Sequence, residues 1–277
     1  MEKKKKVRQM IRRLHLAFDS IIGRLFYGQN TLLRSSKNAD RQAITPNEFQ
    51  NYRYSKRGHF KNFRILPVHK NQSLATCDLK VYQDSLAYTF IIDNLPAGAR
   101  ILEIGGGESR IINELKNQYE FWNLDKLEGS GFGPKQLFIT EGFNLVEDYI
   151  GNFSPDLPDS YFDLIISIST IEHINPDSET IDNVFDDIMR LLKPGGYSLH
   201  CIDALLYQDY YFVHPFVSKV FEEDLIDYQE VTFDELTSEN DIWLLPAYAF
   251  YTRWYHLVKK TMNNFGYPFS INLLWKK

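Results

Sequence analysis

Residues 101–110 read I-L-E-I-G-G-G-E-S-R, a short apolar run that breaks into consecutive glycines and then into a helical pattern. Few stretches constrain a fold so tightly. A strand, a glycine loop and a helix follow one another. Only residues without Cβ let the backbone turn sharply there and approach a ligand, while the helix start presents free N–H groups. On its own the stretch suits either a nucleotide-like ligand or a bare strand-to-helix turn.

Three further stretches narrow the choice. The strand-like segment Tyr119 to Leu124 ends at Asp125, 20 positions after Gly105, which places a carboxylate at a neighbouring strand tip where it can grip ribose hydroxyls. Tyr161 to Thr170 reads Y-F-D-L-I-I-S-I-S-T, an apolar run suited to a central strand, and passes directly into Ile171, Glu172 and His173. Leu192-Lys193-Pro194-Gly195-Gly196 closes a helix and introduces a strand from Tyr197 to Asp203.

In this order and at about this spacing, E-I-G-G-G-E-S-R, N-L-D, F-D-L-I-I-S-I-S-T-I-E-H and L-K-P-G-G resemble the class I S-adenosylmethionine-dependent methyltransferases over residues 78 to 204. The resemblance implies a doubly wound α/β fold, with a mostly parallel, seven-stranded, Rossmann-like sheet whose last strand is antiparallel. It implies S-adenosyl-L-methionine as cofactor. Gly105, Gly106 and Gly107 would admit its amino-acid and ribose portions, Glu103 would lie near its amino-acid end, and Asp125 would accept hydrogen bonds from both ribose hydroxyls. Ser169, at the tip of the fourth strand, is counted with the cofactor-binding residues. Near the adenine, after the third strand, the family often has an aspartate followed by an apolar residue; here Glu141, Gly142 and Phe143 stand, and Glu141 is carried forward. A nicotinamide dinucleotide fits poorly, because Arg110 occupies the place of the glycine that permits close helix packing in G-x-G-x-x-G.

A chain of 277 residues holds one such domain and an extension. Two cysteines, Cys77 and Cys201, and seven histidines without metal-ligand spacing predict no disulfide framework and no structural metal. Charge divides the chain: of 31 Lys and Arg and 36 Asp and Glu, residues 1–70 carry 17 and 4, leaving 14 and 32 for the rest. The basic part therefore meets an anionic partner elsewhere or on its own acidic body.

The division expected is a basic N-terminal helix and arm over 1–72 and a methyltransferase domain over 73–277, with a cofactor-binding core at 78–204 and an acceptor side at 205–277. Val7, Met10, Ile11, Leu14, Phe18, Ile21, Ile22 and Leu25 make one apolar stripe among arginines. This basic amphipathic helix suits an anionic membrane surface, with residues 1–26 as the contact, or packing on the acidic body. It lacks the continuous apolar centre of a secretory signal or membrane span, so the expected location is cytoplasmic, with peripheral membrane contact as an option. In the arm, Tyr52, Tyr54, Phe60 and Phe63 alternate with Arg53, Lys56, Arg57, Lys61 and Arg64. That alternation could bind nucleic acid or pack as a loop over the domain, and packing is the preferred reading.

Beyond the arm, a helix over Asp78 to Asn94 precedes the first strand. Further elements expected are a third strand near Leu137 to Thr140, a short helix around Leu145 to Ile150, a helix over 180–192 and a last strand over Phe269 to Trp275. A hydroxyl acceptor needs a base within hydrogen-bond reach of its proton. His173, past the fourth strand, is the first candidate because its unperturbed pKa of about 6.5 leaves it able to take a proton. Asp203, past the fifth, is second, and His214 follows. The family signatures for base methylation, Asn/Asp-Pro-Pro-Tyr and Pro-Cys, are missing after the fourth strand. A small-molecule or sugar hydroxyl is therefore the expected acceptor. The alternative is a non-catalytic methyltransferase-like binding protein, recruited to RNA or a membrane by its basic arm.

Overall fold

The structure, a computed structural model, describes Leu33 and residues 41–129, 133–138 and 140–277. The helix expected over 7–25 lies outside the described residues. Helix α1 spans Leu79–Asn94; its N-cap, Asp78, accepts from the amide of Lys80, and the helix ends where Leu95 turns extended before Pro96. Strand β1 (Arg100–Ile104) follows, then α2 (Arg110–Leu115), β2 (Glu120–Leu124), β3 (Asn144–Val146), β4 (Phe162–Ile168) and α3 (Ser178–Leu191). Strand β5 (Leu192–Leu206), the two-residue β6 (Tyr211–Phe212), α4 (Phe216–Glu222) and β7 (Tyr267–Lys276) complete the frame of a seven-stranded sheet.

The sheet order is β3-β2-β1-β4-β5, all parallel, with β6 and β7 both antiparallel to β5. Parallel strands need crossovers, and α2 and α3 supply them on opposite faces. Alternation along β1 shows the consequence: Ile101 joins the core under α1 and α2, whereas Leu102 and Ile104 join the core under α3 and α4. Both faces are covered, so nearly every strand residue is buried. The expected winding and the antiparallel last strand are what the chain adopts.

Two local expectations fail. The apolar run at 137–140 forms no strand in its described residues, and Phe138 is 80 % exposed. The third strand is instead Asn144–Val146, registered on β2 as Trp122↔Asn144 to Leu124↔Val146. No helix forms around 145–150. Strand propensity loses here to the position at which a partner edge is available.

The basic arm is built into the domain. Ser55 donates to the carbonyl of Ser270 at 2.9 Å, Asn272 to that of Arg53 at 2.8 Å, and Trp243 to that of Ser55 at 2.8 Å. Residues 53–56 thus occupy the free edge of β7 and carry 242–243 outside it, which protects an edge that would otherwise be open to other chains. Tyr52, Tyr54, Phe60 and Phe63 are all buried. Arm cations meet the acidic body: Arg41 and Arg64 both pair with Asp93, Lys56 with Glu239, and Arg53 with Glu235. Among the described residues, no helix is long and apolar enough to cross a membrane.

Candidate functional site

The glycine loop sits at the tip of β1. Gly105 and Gly107 have φ of +66° and +49°, a region that favours glycine. A Cβ on Gly105 would lie 2.2 Å from Cγ2 of Thr170, and one on Gly106 would lie 2.7 Å from Oδ1 of Asn123. The loop is therefore clamped between the tips of β4 and β2. Gly105→Ala should destabilise the protein by about 2 to 4 kcal/mol, through left-handed strain and overpacking together. Denaturant midpoints at unchanged slope measure this, and a loss below about 0.5 kcal/mol would contradict it.

Asp125 stands beside the loop, half-buried. Its Oδ2 accepts from the amide of Gly107 at 2.8 Å and its Oδ1 from that of Leu127 at 2.7 Å. Each carboxylate oxygen keeps a second acceptor site. Asn123, fully buried on β2, donates from Nδ2 to the carbonyl of Gly107 at 3.0 Å, while its Oδ1 has no hydrogen-bond partner. An open cleft of about 530 Å³ runs from Gly107 past Ser109 and Ile112 to Phe138 and Phe143. Its walls mix backbone with aromatic and aliphatic surface, as in sites for flat heterocycles.

Beneath the loop, Glu103 is buried and accepts from Oγ of Ser109 at 2.5 Å, and Ser109 caps α2 by accepting from the amide of Ile112. Burial pushes the Glu103 carboxyl up to about 7 against the lowering effect of the Ser109 bond. Arg110 pairs with Asp84 of α1, whose carboxylate also meets Nε2 of His69 at 2.7 Å. Arg110, which displaces the third glycine of a dinucleotide loop, here ties α2 to α1.

Across the loop lie the tips of β4 and β5. Ser169 has φ of +48°, a left-handed conformation uncommon for a residue with a side chain. Its Oγ lies 2.8 Å from Oδ1 of Asp203 and 2.7 Å from Oε1 of Gln83. Gln83 also donates from Nε2 to Oδ1 of Asp203 at 2.8 Å. Burial raises the proton affinity of Asp203, opposed by the Gln83 and Ser169 bonds and by the charges of Lys80 and His173. Glu172 lies within electrostatic reach of Asp203; both its carboxylate oxygens are buried without a hydrogen-bond partner, and burial, then the Asp203 charge, push its proton affinity up. Two neighbouring buried carboxyls resist ionising together.

The sequence candidates separate here. Glu103, Gly105, Gly106, Gly107, Asp125, Ser169 and Asp203 gather around one rim. His173 is at that rim but exposed, its amide donating to Thr170 at 3.0 Å. His214 is a fastener: Nδ1 accepts from the amide of Phe216 and Nε2 meets the carbonyl of Ile174 at 3.1 Å, so both nitrogens are engaged. Glu141 is misplaced by the sequence reading. It precedes β3, is exposed, and its carbonyl receives Nζ of Lys116 just past the end of α2, whereas the position after β3 belongs to Glu147. The cause is the shifted third strand.

Sequence reasoning missed Gln83, Asn123, Lys80 and Glu172. A signal existed for Gln83, which falls four residues after Leu79 and three before Leu86, inside the apolar stripe of α1. Polar residues on such a stripe need internal partners.

A family model for a methyltransferase domain matches residues 78–247. No curated protein matches the sequence. Among solved structures, YcgJ from Bacillus subtilis is 19% identical over 46% of this chain and 53% of its own, with a TM-score of 0.35. Phosphoethanolamine N-methyltransferase 2 of Haemonchus contortus is 15% identical over 71% of this chain and 52% of its own, at 0.48. An S-adenosylmethionine-dependent methyltransferase from Mesorhizobium loti is 19% identical over 39% and 50%, at 0.32. The chain spans about half the length of these proteins.

Proposed function

The chain belongs to the methyltransferase-domain family, and we propose that it uses S-adenosylmethionine to methylate a hydroxyl of a small molecule or sugar. The residues present fit this cofactor. The glycine loop leaves no room for Cβ atoms, Asp125 offers acceptor capacity at the tip of β2, and the orphaned Oδ1 of Asn123 awaits a donor. When bound, the cofactor supplies a sulfonium methyl already activated for displacement.

The protein's own work is then to position, to exclude water and to move a proton. Asp203 carries the reading. It is a carboxylate on β5 just beyond the last residue paired with β4, oriented by Gln83 and Ser169, with burial raising its proton affinity. It lies across the switch point from the glycine loop, where open α/β sheets bind ligands. His173, exposed beside it, would favour the ionised carboxylate when protonated. Tyr52, Tyr54, Phe60 and Phe63 are buried, so these four rings offer no free face on which bases could stack.

Two measurements test this. The protein incubated with methyl-labelled S-adenosylmethionine and a fraction of small glycans and hydroxylated metabolites should yield an O-methylated product; label found only on nitrogen or macromolecules refutes the acceptor class. Asp125→Ala should weaken cofactor binding by about 2 to 4 kcal/mol through loss of a pair of charge-assisted bonds. Titration calorimetry on the folded variant reads this, and unaltered affinity would sink the cofactor assignment.

A further inference from the structure

Helix α1 precedes β1 and packs on one face of the sheet, with its first turns by the carboxyl end of β4. Gln83 there reaches Asp203 and Ser169 of the β5 and β4 tips, while Asp84 reaches Arg110 at the start of α2. Lys80 lies three and four residues before these two, on the same helical face. Its charge lowers the proton affinity of Glu103, Glu172 and Asp203 alike, so it lies within electrostatic reach of all three.

The ammonium of Lys80 nevertheless forms no ion pair or hydrogen bond among the described residues. Arg110, the other cation at the loop, is committed to Asp84. Glu172 is unpartnered too, through both oxygens, and so is Oδ1 of Asn123 beside Gly106. One cation and several acceptors thus stand unmatched around one loop. Buried or partly buried polar groups without partners are costly, and a ligand bearing one anionic and one cationic group would satisfy both kinds. An α-amino-acid group has that chemistry.

We propose that Lys80 holds the carboxylate of the cofactor's amino-acid end, beside Glu103 and Glu172, whose acceptors suit the adjoining ammonium. The assignment rests on the S-adenosylmethionine reading above. It makes α1, which precedes the glycine loop in sequence, a part of the cofactor site.

Titration calorimetry with two nucleosides separates the possibilities. S-adenosylhomocysteine carries the amino-acid end and 5′-methylthioadenosine lacks it. Lys80→Met should weaken S-adenosylhomocysteine about 10- to 100-fold while leaving 5′-methylthioadenosine within about twofold of wild type, and Lys80→Arg should retain most of the affinity for the former. The proposal is overturned if Lys80→Met binds S-adenosylhomocysteine like wild type, or if it loses both nucleosides equally, which would mark a structural role. Wild-type protein that binds 5′-methylthioadenosine as tightly as S-adenosylhomocysteine also overturns it. Wild-type protein that binds neither overturns the cofactor reading itself, and the role of Lys80 with it.

Discussion

Asp203→Asn lowers methyl-transfer turnover by about 10² to 10⁴ and leaves affinity for S-adenosylhomocysteine within about threefold of wild type. The asparagine keeps the shape and an acceptor for Gln83 and Ser169, which hold Asp203 through Oδ1, so the pocket should survive the change. What is lost is the ability to take a proton. His173→Ala should fall by less, because that imidazole is exposed and acts on Asp203 only through its charge. Single-turnover rates with the acceptor identified from the labelled product check both variants. A fall of less than about threefold in Asp203→Asn would remove it as the base and favour an acceptor that arrives already deprotonated.

Asp84→Ala should destabilise the protein by about 3 kcal/mol, the lower end of the range for breaking a buried charge pair. The Asp84 carboxylate is 1% exposed and is shared by the Arg110 guanidinium and the His69 ring, which hold its pKa below the usual carboxylate value despite burial. Truncation strands Arg110, whose side chain retains 35% exposure and so recovers some hydration, which keeps the loss from being larger. A folded-state pKa below the unfolded one stabilises above the unfolded value and stops doing so as pH falls through the folded value. The gap between wild type and variant should therefore narrow in acid, below about pH 4. Arg110→Met added to Asp84→Ala should restore part of the stability, since no unpaired cation remains. Urea midpoints across pH measure all three proteins; a single-variant loss under about 1 kcal/mol would show that the pair contributes little.

Both expectations concern residues whose roles were unequally visible beforehand. Asp203 was legible as the last residue of an apolar run following L-K-P-G-G. Asp84 was not, because nothing local in α1 announces a carboxylate that reaches a loop 26 residues away. Glu172 lies within I-E-H, where the imidazole is the more conspicuous titratable group. Burial inverted that preference, leaving the histidine exposed and both carboxylate oxygens of the glutamate enclosed.

The sequence by itself determined the alternation of strands and helices in a parallel sheet, the glycine loop and the position of Asp125. These depend on short-range facts: the alternation of apolar runs with helical stripes, glycines where Cβ cannot fit, and a carboxylate at a strand end. Tertiary structure decided where the third strand lies, because the run at 137–140 and the segment at 144–146 differ less in propensity than in access to the edge of β2. It also decided that the basic arm closes the edge of β7, a pairing between residues 53–55 and 270–272 that no local pattern encodes. The charges of the rim follow the same rule. Glu103, Asp203, Glu172 and Lys80 are ordinary ionisable residues in the chain, and only the fold brings them within electrostatic reach of one another, with Glu103 and the Glu172 carboxylate oxygens buried.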